Sequence, residues 1–172
     1  MAAWVNEMIN STRTKSTLSV VGALLVLVIS PAAQGLPNFS GTWNLDAAKS
    51  DFGMMPAPES IVMVVDHKEP TVKVTTTQKS QMGDSSNDST YTTDGKENVN
   101  KVRGPAGDQD VKSTTKWSGT TLTTSRAIEA QGMSIGIDDS WDLSADGKVL
   151  TINRQLKTPQ GDLSMRLVLN KQ

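Results

Sequence analysis

From Gly41 onward, apolar and polar side chains alternate in short runs. The clearest case places Met133, Ile135, Ile137, Trp141 and Leu143 on one face, and Ser134, Asp138, Ser140 and Asp142 on the other. A period of two is that of a strand with one face buried and one face wet. The runs Thr75–Thr77, Thr114–Thr115 and Thr123–Thr124 restrict χ1 and favour extended chain. No segment sustains a helical period. Turn signals recur about every dozen residues, which is the all-β signature. They predict about ten strands, near residues 41–46, 60–68, 71–79, 88–93, 96–102, 110–117, 120–128, 133–143, 148–157 and 162–170.

Turn chemistry adds registers. A two-residue type I′ turn at Asp146-Gly147 sets Leu143 opposite Leu150, Trp141 opposite Ile152, Asp139 opposite Arg154 and Ile137 opposite Leu156, so each of these apolar residues meets an apolar partner. The same treatment of Ser118-Gly119 sets Thr115 opposite Leu122, Ser113 opposite Thr124 and Val111 opposite Arg126. Sequential hairpins without long crossovers make an up-and-down meander, which removes its edges by closing into a barrel of eight to ten antiparallel strands. A two-sheet β-sandwich is the alternative. A lipid-embedded barrel conflicts with Lys73, Lys112, Lys116, Asp138, Ser140 and Asn153 on the outward face.

The chain has 172 residues, and its start changes the domain count. Arg13 and Lys15 precede an apolar run, Leu18–Ile29, followed by small residues up to Gly35. This is the order of a signal peptide, and the run is too short for a retained membrane span. The expectation is a cleaved leader over residues 1–34, with cleavage between Ala32 and Gly35, then one domain over residues 35–172, exported to the periplasm or the cell exterior. With 17 basic and 18 acidic residues, bulk charge does not favour nucleic acid. The chain has no cysteine and one histidine, which removes disulfides, thiolate chemistry and most metal and triad arrangements. His67 reads as a solvated residue beside the Lys68–Pro70 turn. The expectation is no enzyme, no cofactor and no metal.

Candidate site residues follow from the inner face. Arg126, Asp139 and Arg154 fall in phase with apolar neighbours, and buried charge requires a partner. Asp139 and Arg154 form a cross-strand pair, while Arg126 lies about four residues, or roughly 13 Å, away along the strand. Arg126 is then the surplus cation that would hold an anionic ligand head, or else it snorkels to the rim. Trp43, Trp117 and Trp141 are core, plug or ligand-stacking residues, and Tyr91 completes the candidate set. Small polar residues on the same face, Thr76, Ser113 and Thr124, point to a partly hydrated cavity. In the long connection from Ala47 to Glu59, Phe52, Met54 and Met55 would either cover the barrel mouth as a lid or cap the core.

Asn38-Phe-Ser-Gly-Thr-Trp-Asn-Leu45 contains Gly41-Thr42-Trp43, which resembles the G-x-W motif opening the barrel of lipocalins and related calycins. The segment as a whole is similar to small secreted bacterial lipocalin-like proteins of unassigned activity. Tyr91-Thr-Thr-Asp94 does not reproduce the family's Thr-Asp-Tyr element, and ten strands suit fatty-acid-binding-protein-like barrels better than the lipocalin eight. The resemblance implies that Trp43 plugs the closed end against an arginine of a late strand, Arg154 or Arg166. It also implies carriage of a small hydrophobic or amphipathic ligand without catalysis. The function expected is ligand binding inside the barrel, with a closed structural or interaction module of the cell envelope as the alternative.

Overall fold

The computed structural model describes residues 35–81, 83–104, 107–130 and 132–172, and the leader expected over residues 1–34 lies outside them. Ten strands follow one another, and none of the described residues is helical: β1 Gly41–Leu45, β2 Ser60–Lys68, β3 Thr71–Lys79, β4 Ser85–Thr92, β5 Asp94–Gly104, β6 Gly107–Ser118, β7 Thr121–Ala130, β8 Met133–Leu143, β9 Val149–Thr158 and β10 Gly161–Lys171. All lie in one antiparallel sheet of order β4-β3-β2-β1-β10-β9-β8-β7-β6-β5. The first and last strands pair, Trp43 with Lys171 and Leu45 with Leu169. The two ends of the meander are therefore joined, and the fold is a nearly closed up-and-down β-barrel of ten strands rather than a sandwich.

The one interruption of the ladder falls between β4 and β5. Here asparagine side chains stand in for backbone. Asn100 Oδ1 accepts from the Thr90 N–H at 2.7 Å, and Asn100 Nδ2 donates to the Thr90 carbonyl at 3.0 Å. Asn87 Oδ1 accepts from the Arg103 N–H at 2.9 Å, and Asn98 Nδ2 donates to Thr92 Oγ1. The cause is local. A register shift between Asp94 and Glu97, with Gly95 at φ 77°, displaces the start of β5. The strand β4, Ser-Ser-Asn-Asp-Ser-Thr-Tyr-Thr, also has no apolar alternation to lock a register.

One end of the barrel is packed shut. The segment before β1 brings Phe39 inside, fully buried with Trp43, Val72, Leu150 and Leu169. Phe39 stacks on His67 and on Trp117, each with ring centroids 5.8 Å apart, and meets Trp141 edge-on at 5.7 Å. The Trp43 indole N–H donates to the Phe39 carbonyl at 2.9 Å. Trp43 does occupy the plug, but its cationic neighbour is Lys171, with Nζ 5.2 Å from the ring, and not Arg154 or Arg166. Lys171 is the direct cross-strand partner of Trp43, a proximity that the late-strand arginines lack.

His67 also differs from expectation. It continues the inward phase of Ile61, Met63 and Val65 and is 3% exposed. The Phe39 N–H donates to Nδ1 at 3.2 Å, so Nε2 carries the hydrogen that it shares with Glu69 at 2.8 Å. Glu69 receives Trp117 Nε1 at 2.9 Å and Thr93 Oγ1 as well. Burial pushes its carboxyl up, but the hydrogen bonds from Thr93, His67 and Trp117 outweigh this and hold it below the ordinary value.

The Ala47–Glu59 connection is not a lid over the site. Phe52 joins the core cluster, while Met54 is 86% exposed. Asp51 bridges to Arg166 of β10, which ties the loop along the barrel wall.

Replacing Asn100 by Ala removes both ends of the clip at Thr90. The expected result is a loss of about 1–3 kcal/mol in denaturant unfolding, with faster amide hydrogen exchange confined to β4 and β5.

Candidate ligand site

Above the aromatic plug, the barrel encloses a cavity of about 220 Å³. Its lining follows from the registers. Three inner layers climb the wall made by β6 to β9. Trp117, Leu122, Trp141 and Ile152 form the lowest, Thr115, Thr124, Asp139 and Arg154 the next, and Ser113 with Arg126 the third. Thr115 and Thr124 satisfy one another through a 2.9 Å hydrogen bond. The facing wall, β2 to β5, carries Met63 opposite Thr76 and Val74 opposite Ser89, with Ile61, Gln78 and Asn100 beside them.

The charged centre of this cavity is Asp139, 4% exposed. Arg154 meets it side-on, Nε to Oδ1 at 2.6 Å and Nη2 to Oδ2 at 3.0 Å. Arg126 Nη1 donates to Oδ2 at 2.8 Å. Burial works against the Asp139 carboxylate, but the charges and hydrogen bonds of Arg154 and Arg126 prevail and hold its pKa below the ordinary value. In turn, burial works against the Arg154 guanidinium, and Asp139 reverses that and raises its pKa. One carboxylate thus faces two guanidiniums, and the group carries one net positive charge.

Five of the seven residues singled out from sequence line the cavity: Arg126, Asp139, Arg154, Trp141 and Tyr91. Trp43 and Trp117 belong to the plug beneath it. The Asp139–Arg154 pairing has the register expected, although the turn is not the two-residue type I′ form. The Gly147 N–H donates to the Ser144 carbonyl and the Ser144 N–H to the Val149 carbonyl, so the loop is longer while the pairing is unchanged.

Arg126 does not stand apart, nor does it snorkel. The β6–β7 ladder sets Ser113 opposite Arg126, Thr115 opposite Thr124 and Trp117 opposite Leu122, a shift of two residues from the register expected. The turn centres on Gly119-Thr120, with Ser118 paired to Thr121 and Gly119 at φ 63°. Thr124 faces Asp139, so Arg126 is a diagonal neighbour at roughly 7–8 Å between backbones. Its side chain is 16% exposed.

Sequence reasoning missed Gln78, Asn87, Ser89 and Asn100. For Asn87 and Ser89 the one available signal was that β4 is polar at inward and outward positions alike. Tyr91 faces the cavity, but its hydroxyl makes no hydrogen bond to an acid or base among the described residues. Among those residues no cluster of side chains has the makings of a metal site.

No protein-family model matches this sequence, and no curated protein matches it. Solved structures do. The fluorescent protein UnaG, wild type, is similar at 15% identity over 76% of this chain and 95% of that one, with a TM-score of 0.49. A single-residue asparagine-to-alanine mutant of UnaG is similar at 16% identity over 76% and 94%, with a TM-score of 0.48.

Asp139→Asn keeps the shape but leaves two half-buried guanidiniums without an anion. The expected cost is about 3–5 kcal/mol in chemical unfolding at neutral pH. Because the folded pKa of Asp139 is depressed, its contribution is present above the unfolded value, near 3.8, and is lost as pH falls through the lower folded value. Stability of the wild type should therefore drop on acidification below about that point, and the part of the drop due to Asp139 should vanish in the variant.

Proposed function

We propose that this chain is an exported binding protein that holds a compact amphipathic molecule inside the barrel, with an anionic or acceptor group of that molecule against Arg126. The observation carrying this reading is the charge count of the buried centre, two guanidiniums to one carboxylate. Arg154 spends its side-on face on Asp139. Arg126 uses one nitrogen on it, and its remaining N–H groups have no partner among the described residues. A guanidinium fork with free donors in a sheltered, weakly screened site suits a carboxylate or a similar oxygen acceptor.

The volume supports a small ligand. About 220 Å³ falls below the roughly 300–1,000 Å³ usual for drug-sized sites. A long lipid chain would not be enclosed. Binding fits the centre better than catalysis does. A general acid or base works near its own pKa, whereas Asp139 is clamped in its ionised form and Tyr91 has no acid or base within hydrogen-bond reach among the described residues. Export rests on the leader pattern of residues 1–34.

Calorimetric titration with short alkyl carboxylates, and with alcohols of matching length, tests the reading. The carboxylates should bind the wild type more tightly than the alcohols, and Arg126→Leu should weaken them at least tenfold. Arg154 still pairs Asp139 in that variant, so its melting curve should remain cooperative. Absence of binding, or affinity indifferent to Arg126, would favour a closed module that meets a protein partner.

A further inference from the structure

Two buried donors in the cavity wall are left without partners: the Ser113 hydroxyl and the Trp141 indole N–H. Ser113 is 3% exposed and Trp141 is 7% exposed. A buried donor without an acceptor bears its full desolvation penalty, and native interiors rarely tolerate one. Two such donors occur among the described residues, and both residues line the same cavity. The comparable groups nearby, among the described residues, are satisfied. The indoles of Trp43 and Trp117 donate to Phe39 and Glu69, and Thr115 pairs with Thr124. The exceptions therefore border the cavity, where an acceptor can come from an occupant.

Their placement adds chemistry. Ser113 is the cross-strand partner of Arg126, so its hydroxyl belongs to the cationic layer. Trp141 lies on the inner face of β8 one step below Asp139, away from that layer and against the aromatic plug. An indole N–H is a neutral donor that cannot accept, so it selects an oxygen or nitrogen acceptor and gains nothing from a methylene. The opposite wall mixes apolar Ile61, Met63 and Val74 with uncharged polar Thr76, Gln78 and Ser89. A purely hydrocarbon tail would strip water from the polar members and return no hydrogen bonds.

Resting on the binding function proposed above, we infer that the ligand carries an uncharged oxygen acceptor, a carbonyl above all, along its body, and that Trp141 recognises it, while Ser113 adds a neutral donor beside Arg126 at the head. The ligand class is an oxygenated small acid and not a plain alkyl acid. Arg126 and Ser113 supply attraction for the head, while Trp141 supplies selectivity for the body. A site built to hydrogen-bond an oxygen discriminates against the analogue lacking it, because its own buried donors are then left bare.

Straight-chain keto carboxylates, with the keto group at successive positions, and the parent carboxylates of equal length are the probes. At the best keto position the wild type should bind the keto acid about tenfold more tightly than its parent. The Trp141 indole proton resonance, identified by its absence from Trp141→Phe, should move with that keto acid and stay in place with the parent. Trp141→Phe should bring the two affinities together. Ser113→Ala should weaken keto acid and parent alike and keep the gap between them. Parents binding with no keto acid favoured, or a preference that survives Trp141→Phe, would overturn the inference and leave the binding function intact. Failure of both classes to bind would overturn the two together.

Discussion

A carboxylate removed from water inside a barrel is stable only where positive charge and hydrogen-bond donors surround it. In this protein that requirement falls on Asp139. The β8–β9 ladder puts Arg154 directly opposite, and the β7–β8 ladder puts Arg126 on the diagonal. Three strands must therefore keep their mutual register for the interior to be electrically tolerable, and a slip along any of them would separate the charges. The same arrangement leaves the cavity positive, so one constraint shapes both the packing and the chemistry of the site.

The aromatic plug makes this possible by closing one end. Phe39, His67 and Trp117 pack in a triangle of near-parallel rings, and Glu69, bonded to His67 and Trp117, ties the triangle to Thr93. Trp141 belongs to both worlds. Its ring packs edge-on against Phe39, and it also lines the cavity. The floor of the site is thus as rigid as the core beneath it, while the β4–β5 seam, held by asparagine side chains in place of a ladder, is the weaker wall.

Much of the architecture was legible in the chain because alternation and turn residues agree. The β8–β9 register was readable since Trp141, Ile137 and Leu143 each had an apolar partner to meet. The β6–β7 register was not. A one-residue slip exchanges the two faces of a strand, but a two-residue slip preserves them. In the stretch Thr114–Thr124, rich in threonine on both strands, the alternation cannot distinguish registers that differ by two. That error moved Arg126 by roughly 7 Å and hid its bond to Asp139. His67 was misjudged because the turn beside it outweighed its phase with Ile61, Met63 and Val65. The asparagine clips were invisible for a different reason: they depend on which strands the closed barrel leaves unpaired, and no local pattern records that.

The claim on which the rest stands is a surplus cation at Arg126, held within the barrel. Crystals soaked in iodide test it directly through anomalous scattering. The account predicts an iodide ion inside the barrel in contact with the Arg126 guanidinium, with Asp139 still bridging both arginines. An interior free of iodide, or Arg126 turned outward with Asp139 bound to Arg154 alone, would contradict it.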